Sequence, residues 1–296
     1  MNHNIQFTLS YQGGAAERHE IDFYDVSKAL IGFQRSLALT AHLFANDEII
    51  TKAPYLKGAK VVALPPEEGS WKITAGVILT GLYALGTAPN NTPVGHLVYS
   101  LYDYVVSESL GFHVDYNKSL GQAYEEAEKA KVDLPIIKQH KADSLIEKCS
   151  VAISDMHRPI CKTKTANKAS VISSFDNRRL PLTAEFTQET FDYIHEEFIE
   201  DTPVVIKGRV SSYNSNNYRG RIYVATEGRP VTFELAKSIR TEYVLKLIIA
   251  SLSATTHKDY DNEWIDIYCK AYRHTSRSGQ LKEYTIIQVS HEVIQG

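Results

Sequence analysis

The stretch Gly69-Ser70-Trp71-Lys72-Ile73-Thr74-Ala75-Gly76-Val77-Ile78-Leu79 runs on to Gly86, breaks at Thr87-Ala88-Pro89-Asn90-Asn91-Thr92-Pro93 and resumes from Val94 to Val106. Between Ile73 and Tyr102 the only titratable charge is a protonated His96, so protein or lipid must cover this segment. Trp71, Ile73 and Ala75 alternate with Ser70, Lys72 and Thr74, as a half-buried strand does. Ala59 to Leu64 reads as a strand too, and Pro65-Pro66-Glu67-Glu68-Gly69 as the turn between them. From Gly76 onward the alternation is lost, and the run predicts a helical hairpin over about 76–110, although Gly76, Gly81 and Gly86 each weaken the first arm by about 1 kcal/mol relative to alanine. Each arm has about 14 residues, roughly 21 Å of helix, against the ~30 Å of a hydrocarbon core. A hairpin buried in protein is therefore favoured, and a membrane-acting segment over 73–106 is the alternative.

Upstream, Ile5 to Tyr11 alternates as a strand and Gln12-Gly13-Gly14 ends it. Glu20 to Phe23 reads as a short return strand. Asp25 then caps a helix whose apolar positions Val26, Ala29, Leu30, Phe33, Leu37, Ala41 and Phe44 keep helical spacing. Downstream of the apolar run, Leu120–Val132 and Ile136–Ile153 read as solvated helices, Ala169–Ser173 as a strand, and Thr187–Phe198 as a helix. Glu200-Asp201-Thr202-Pro203 marks the domain boundary, giving an α+β region over 1–202 and a second domain over 203–296.

The last 94 residues follow the order strand, strand, strand, helix, strand, strand: Val204–Tyr213, Arg219–Ala225, Val231–Leu235, Ala236–Leu252, Trp264–Tyr272 and Lys282–Ser290. This is the order of an OB-like small β-barrel, with an SH3-like or other small barrel also compatible. The fold class is α+β. Parity on the strands separates a core face from a face of cations and rings. Lys207, Arg209 and Tyr213 share that second face with Arg219, Arg221 and Tyr223, and with Trp264, Tyr268, Lys270 and Tyr272. Such a surface tracks phosphates and stacks bases, so these ten residues are the candidate nucleic-acid-binding set. Cross-strand pairing on a solvated sheet, or an interface with the other domain, is the competing reading.

Charge supports the division. Residues 203–296 hold 13 Lys and Arg against 9 Asp and Glu, a balance of +4, whereas the whole chain carries −3, leaving −7 for residues 1–202. Cys149, Cys161 and Cys269 have neither disulfide-framework nor zinc-ribbon spacing, and the N-terminus shows no secretory signal, which together predict a cytoplasmic protein. The chain lacks Gly-x-x-x-x-Gly-Lys-Ser/Thr, Gly-x-Gly-x-x-Gly, His-Glu-x-x-His and Gly-x-Ser-x-Gly. His157 and Cys161 stand four apart across Pro159, and Asp259 and Asp261 lie in a polar loop; neither makes a metal set. No catalytic residue, metal or cofactor is predicted.

The Ile21–Ala45 helix after a short strand, the Glu68-Gly69-Ser70-Trp71 hairpin, the apolar stretch and the terminal barrel together resemble uncharacterised bacterial proteins of mobile-element and phage-defence neighbourhoods. The resemblance spans nearly the whole chain and implies a bacterial, non-housekeeping role without catalytic residues. The expected function is a non-enzymatic interaction protein: the barrel takes a single-stranded nucleic acid or nucleotide ligand, and the N-terminal region self-associates or meets a protein partner. A membrane-disrupting effector and an enzyme of unrecognised type are the alternatives.

Overall fold

The structure is a computed structural model that describes residues 5–49, 56–65, 71–79, 92–195, 197–257, 259, 262, 264–275 and 281–294. The chain forms two compact units, Met1–Ile194 and His195–Gly296.

The first unit has a five-stranded antiparallel sheet in the order β2-β3-β1-β4-β5, with β1 Ile5–Gln12, β2 Ala59–Ala63, β3 Lys72–Leu79, β4 Lys168–Phe175 and β5 Arg178–Pro181. Its long helices are α1 Phe23–Asn46, α2 Thr92–Ser109, α3 Tyr116–Ala130 and α4 Gln139–Met156; the short α5 Arg158–Cys161 and α6 Gln188–His195 complete it. Alternation in β1 sends Ile5, Phe7, Leu9 and Tyr11 into the core, where the Phe7 ring meets Tyr102 of α2 edge-on at 5.0 Å and the Tyr11 hydroxyl donates to the Met156 carbonyl at 2.7 Å. Helix α1 passes close against α4, where a Cβ on Gly32 would stand 2.3 Å from the Ala152 carbonyl oxygen.

The apolar stretch behaves differently in its two halves. The second arm is helical, as α2. The first arm does not turn helical at Gly76: β3 continues to Leu79, with Gly76 in register with Gln6 on one side and Val62 on the other. Thr74, Ala75, Gly76 and Val77 are consecutively buried. Alternation fails there because both faces of an inner strand are covered, and such strands read as continuous apolar runs. Residues 80–91, the rest of the predicted first arm, lie outside the described residues. Among the described residues, no helix is long and apolar enough to cross a membrane, and Leu97, Val98, Leu101, Tyr102 and Val105 of α2 are already in the core.

Two further expectations change near α1. Glu20 to Asp22 form no strand and Phe23 already begins α1, Gly14–Arg18 forms a 3-10 turn ahead of them, and the cap is Asp22, whose carboxylate accepts from the Asp25 backbone N–H at 2.9 Å. Asp25 sits inside the first turn, is buried, and pairs with Arg158 at 2.8 Å. The aspartate preceding the first helical residue takes the cap, and Asp25 is drawn inward by its partner.

The second unit contains β6 Phe198–Ile199, β7 Val204–Asn214, β8 Arg219–Val224, β9 Arg229–Leu235, α7 Glu242–His257, β10 Ile267–Thr275 and β11 Leu281–Ser290. Pairing runs β7-β8-β9-β11-β10 and back to β7, with β9 and β11 parallel and β6 added to β10. This is a closed five-stranded, OB-like barrel. Its unit begins at His195 rather than Pro203 because β6 belongs to its sheet. Val210, Ile222, Val231, Phe233, Ile267, Cys269 and Ile286 fill the interior. Helix α7 packs on β7, where Ser251 accepts from the Val210 N–H at 2.9 Å and donates to the Ile265 carbonyl at 2.5 Å.

Candidate nucleic-acid interface

Closing a sheet into a barrel gives every strand one inward and one outward row of side chains. On β7 the outward row holds Val205, Lys207 and Arg209. Register sets Lys207 opposite Tyr268 of β10, and Arg209 opposite Tyr223 of β8. The Lys207 ammonium lies 5.8 Å from the Tyr268 ring centre, and the Arg209 guanidinium 4.7 Å from that of Tyr223. Both are cation-on-ring contacts. Lys207 also pairs with Asp266 at 3.2 Å, and that hydrogen bond holds its pKa above the usual lysine value. Tyr268, Lys270 and Tyr272 follow on the outer face of β10, while Ile267, Cys269 and Ala271 point inward. Trp264 precedes β10 in a turn, 41 % exposed, with its indole stacked on His291 at 4.2 Å.

The other half of the proposed set is engaged elsewhere. Arg219 reaches Glu283 at 2.5 Å and Glu234 at 4.0 Å, and Glu234 is shared with Arg240 at 2.9 Å. Burial pushes the Glu283 carboxyl above its ordinary pKa, Arg219 opposes that shift, and the nearby Glu197 adds to it. Arg221 is 7 % exposed and donates to the Pro230 carbonyl at 3.0 Å. These arginines stand on the outward rows but serve the barrel wall.

Tyr213 is half-buried and packs against the barrel core. A bulge between Val210 and Ser212 inserts Ser211 and reverses the parity of the end of β7, so Tyr213 faces Gly220 and stacks on the core residue Phe233 at 6.2 Å. Strict alternation from Val204 assigns it to the wrong face because one extra residue flips every later side chain.

Sequence reasoning missed His274, whose ring sits between Glu197 at 2.5 Å and the Thr285 hydroxyl at 2.8 Å, fastening the segment before β6 to β10. Its parity with Tyr272 was the available signal. His157 places its nitrogens 3.0 Å from the Ile153 carbonyl and 2.9 Å from the Thr190 hydroxyl, and burial pushes the Cys161 thiol up to about 12. Among the described residues no group of three or more His, Cys, Asp or Glu is arranged to hold a metal. Asp259 accepts from Asn262 at 2.9 Å, while Asp261 lies outside the described residues.

Residues 7–195 match the family described as a domain of unknown function, DUF7946. The chain belongs to the DUF7946 family. Its residues 202–290 also match a family of unknown function, DUF7947. The DUF7946 match ends one residue past the end of the first compact unit, and the DUF7947 match takes in β7 to β11. No curated protein and no solved structure matches this DUF7946 chain.

Proposed function

We propose that this protein is a non-enzymatic interaction protein whose barrel binds single-stranded nucleic acid. The observation that carries this reading is the pair of adjoining cation-on-ring contacts, Lys207 with Tyr268 and Arg209 with Tyr223, across β10, β7 and β8. A ring offers its face to any base, which a sequence-tolerant single-strand binder needs, and Lys207 meets a phosphate by exchanging it for Asp266, its partner at 3.2 Å. The Arg219–Glu283–Glu234–Arg240 cluster lies outside the binding surface, since its carboxylates repel phosphate. The expected resemblance to uncharacterised bacterial proteins of mobile-element and phage-defence neighbourhoods suggests phage defence as the proposed setting.

Self-association is the proposed role of the N-terminal unit. Tyr24 and Ile31 of α1 and Val151 of α4 are exposed on helices that pack side by side. A second copy would bury them. Light scattering on Ile31→Glu/Val151→Glu against the unaltered chain tests this, with a fall in molar mass expected.

The barrel reading is tested by anisotropy of labelled single strands with the Arg209→Ala/Tyr223→Ala/Tyr268→Ala variant. Loss of at least tenfold in affinity is expected, since each stacked base contributes about 1–3 kcal/mol. Unchanged affinity removes this surface.

A further inference from the structure

Helices α1 and α4 run antiparallel, and three contacts fix their relative level. Asp25 pairs with Arg158, just beyond α4, at 2.8 Å; a Cβ on Gly32 would stand 2.3 Å from the Ala152 carbonyl oxygen; and Asp47, at the C-cap of α1, pairs with Lys141. Residues at i, i+3 and i+7 share one helical face. On α1 that row is Lys28, Ile31 and Arg35, and on α4 it is Lys148, Val151 and Asp155. Both rows lie on the outer side of the seam. Ile31 is 59 % and Val151 70 % exposed, while the opposite sides of the helices place Ala29, Phe33, Cys149 and Ile153 in the core. Counted from Gly32 and Ala152, Ile31 and Val151 stand within roughly 3 Å of one level. Lys28 and Asp155 lie about one turn away toward Arg158, and Arg35, Glu147 and Lys148 about one turn away toward Lys141. With the buried Asp143, these are all the lysines, arginines and carboxylates that the two helices carry between the closing ion pairs.

A second copy can cover this face about a two-fold axis in either of two ways. With the axis along the helices, α1 of each copy lies on α4 of the other and Ile31 meets Val151. Lys28 and Asp155 of both copies then form one ring in which the charge alternates. With the axis across the helices, α1 lies on α1, and Lys28 of one copy meets Arg35 of the other, like on like. Opposite charges fix the register of an interface, and like charges exclude the alternative. We propose that the N-terminal unit forms an isologous dimer of the first kind, an antiparallel four-helix packing closed by the Lys28–Asp155 ring. This rests on the self-association reading given above and sharpens it to a symmetry, a register and the residues that fix them. At the other level Arg35 and Lys148 come together with Glu147 at their flank, so this end of the packing holds an excess of positive charge.

Sedimentation of the full chain measures the dimer dissociation constant. Lys28→Glu and Asp155→Lys are each expected to raise it by about tenfold or more, since either change sets two pairs of like charges together across the axis. An equimolar mixture of the two variants is expected to recover the dimer, because both contacts of the mixed dimer again join opposite charges. No effect within one chain reproduces that recovery. Lys148→Glu is expected to tighten the dimer by about threefold by completing a second alternating ring with Arg35. The packing of α1 on α1 would turn the same change against Asp155 and weaken the dimer. Circular-dichroism melts show that each variant is folded, and Lys148→Glu alone decides the packing if the first two melt early. A mixture no more dimeric than its components, unchanged association of the single variants, or weakening by Lys148→Glu overturns this arrangement and leaves self-association standing. An unaltered chain that is monomeric at every concentration overturns both.

Discussion

The two units use buried polar chemistry in opposite ways. In the N-terminal unit, carboxylates and hydroxyls are turned inward and consumed by the fold. Asp103 accepts from the Thr183 N–H at 2.6 Å, the Thr183 hydroxyl at 2.7 Å and Ser107 at 2.9 Å, and Asp143 accepts from Tyr104 at 2.5 Å. In the barrel Val210, Ile222, Phe233 and Ile267 fill an apolar interior, and the buried polar groups Arg221, Ser251 and His274 are bonded at its wall. The difference follows from topology. A helix-covered sheet must fasten its connections inside the core, whereas a closed barrel satisfies its backbone strand to strand and leaves one whole face for a ligand.

The largest expected effect tests whether the units stand separately. A Cβ at Gly220 would lie 2.2 Å from the Ser212 carbonyl oxygen and 2.8 Å from the Phe233 ring, and one at Gly95 of α2 would lie 2.6 Å from the Phe175 ring. Gly220→Val is expected to destabilise the barrel by more than about 3 kcal/mol, and Gly95→Val to do the same to the N-terminal unit. Hydrogen exchange should show β7 to β9 amides exposed in the first variant and β1 to β4 amides in the second. Exposure of both units by either change would break the comparison, because it would make them one cooperative body.

Asp103→Ala comes next, at about 2–3 kcal/mol, since it strands three donors in the N-terminal core. Burial raises the Asp103 pKa, with the Thr183 and Ser107 hydrogen bonds opposing the shift. The sign is that of an acid with a raised folded value: the cost of its ionised form is present above the folded pKa and is relieved as pH falls through it. Denaturant melts of the unaltered chain should therefore show an Asp103-dependent gain as pH falls through that raised value toward the ordinary carboxylate range. The Asp103→Ala variant should lack it, and an identical pH profile would show that the charge is not the strained group.

Much of this contrast was written in residue patterns, and its gaps have physical causes. The barrel's strand–helix–strand order is legible because each strand alternates cleanly, Ile267, Cys269 and Ala271 inward against Tyr268, Lys270 and Tyr272 outward. Helix α2 is legible from its length and apolar content. The first half of strand β3 is legible from the alternation of Trp71, Ile73 and Ala75, but its continuation over 76–79 is not, since coverage of both faces erases the period-two signal that separates it from a buried helix. On the candidate site, parity places Lys207, Arg209, Tyr223 and Tyr268 on the outer face. It carries no information on whether a carboxylate elsewhere in the chain, such as Glu283 or Glu234, will already hold an outward arginine.

That distinction yields a smaller prediction. Arg219→Ala leaves the partly buried Glu283 without its strongest partner, so it should cost the barrel about 1–2 kcal/mol. Oligonucleotide affinity should change less than about twofold, because no phosphate contact is lost and a cation already neutralised in place gives no counterion release. A drop comparable to that of Tyr268→Ala would return Arg219 to the binding surface.

The smallest effect is the sharpest check on the bulge in β7. If Ser211 is the inserted residue, Tyr213 lies on the Phe233 side of the wall, its hydroxyl buried without a hydrogen-bond partner among the described residues and its pKa raised by that burial. A buried, unpartnered hydroxyl costs free energy that phenylalanine avoids while keeping the ring stack. Tyr213→Phe should thus raise barrel stability by about 0.5–1 kcal/mol and leave oligonucleotide binding unchanged. Without the bulge, Tyr213 would share the outward row of Lys207 and Arg209, and the same substitution would leave stability flat and weaken binding. Measured on one variant, stability and affinity move in different directions under the two registers, so a change of half a kilocalorie decides which side of the barrel wall this ring occupies.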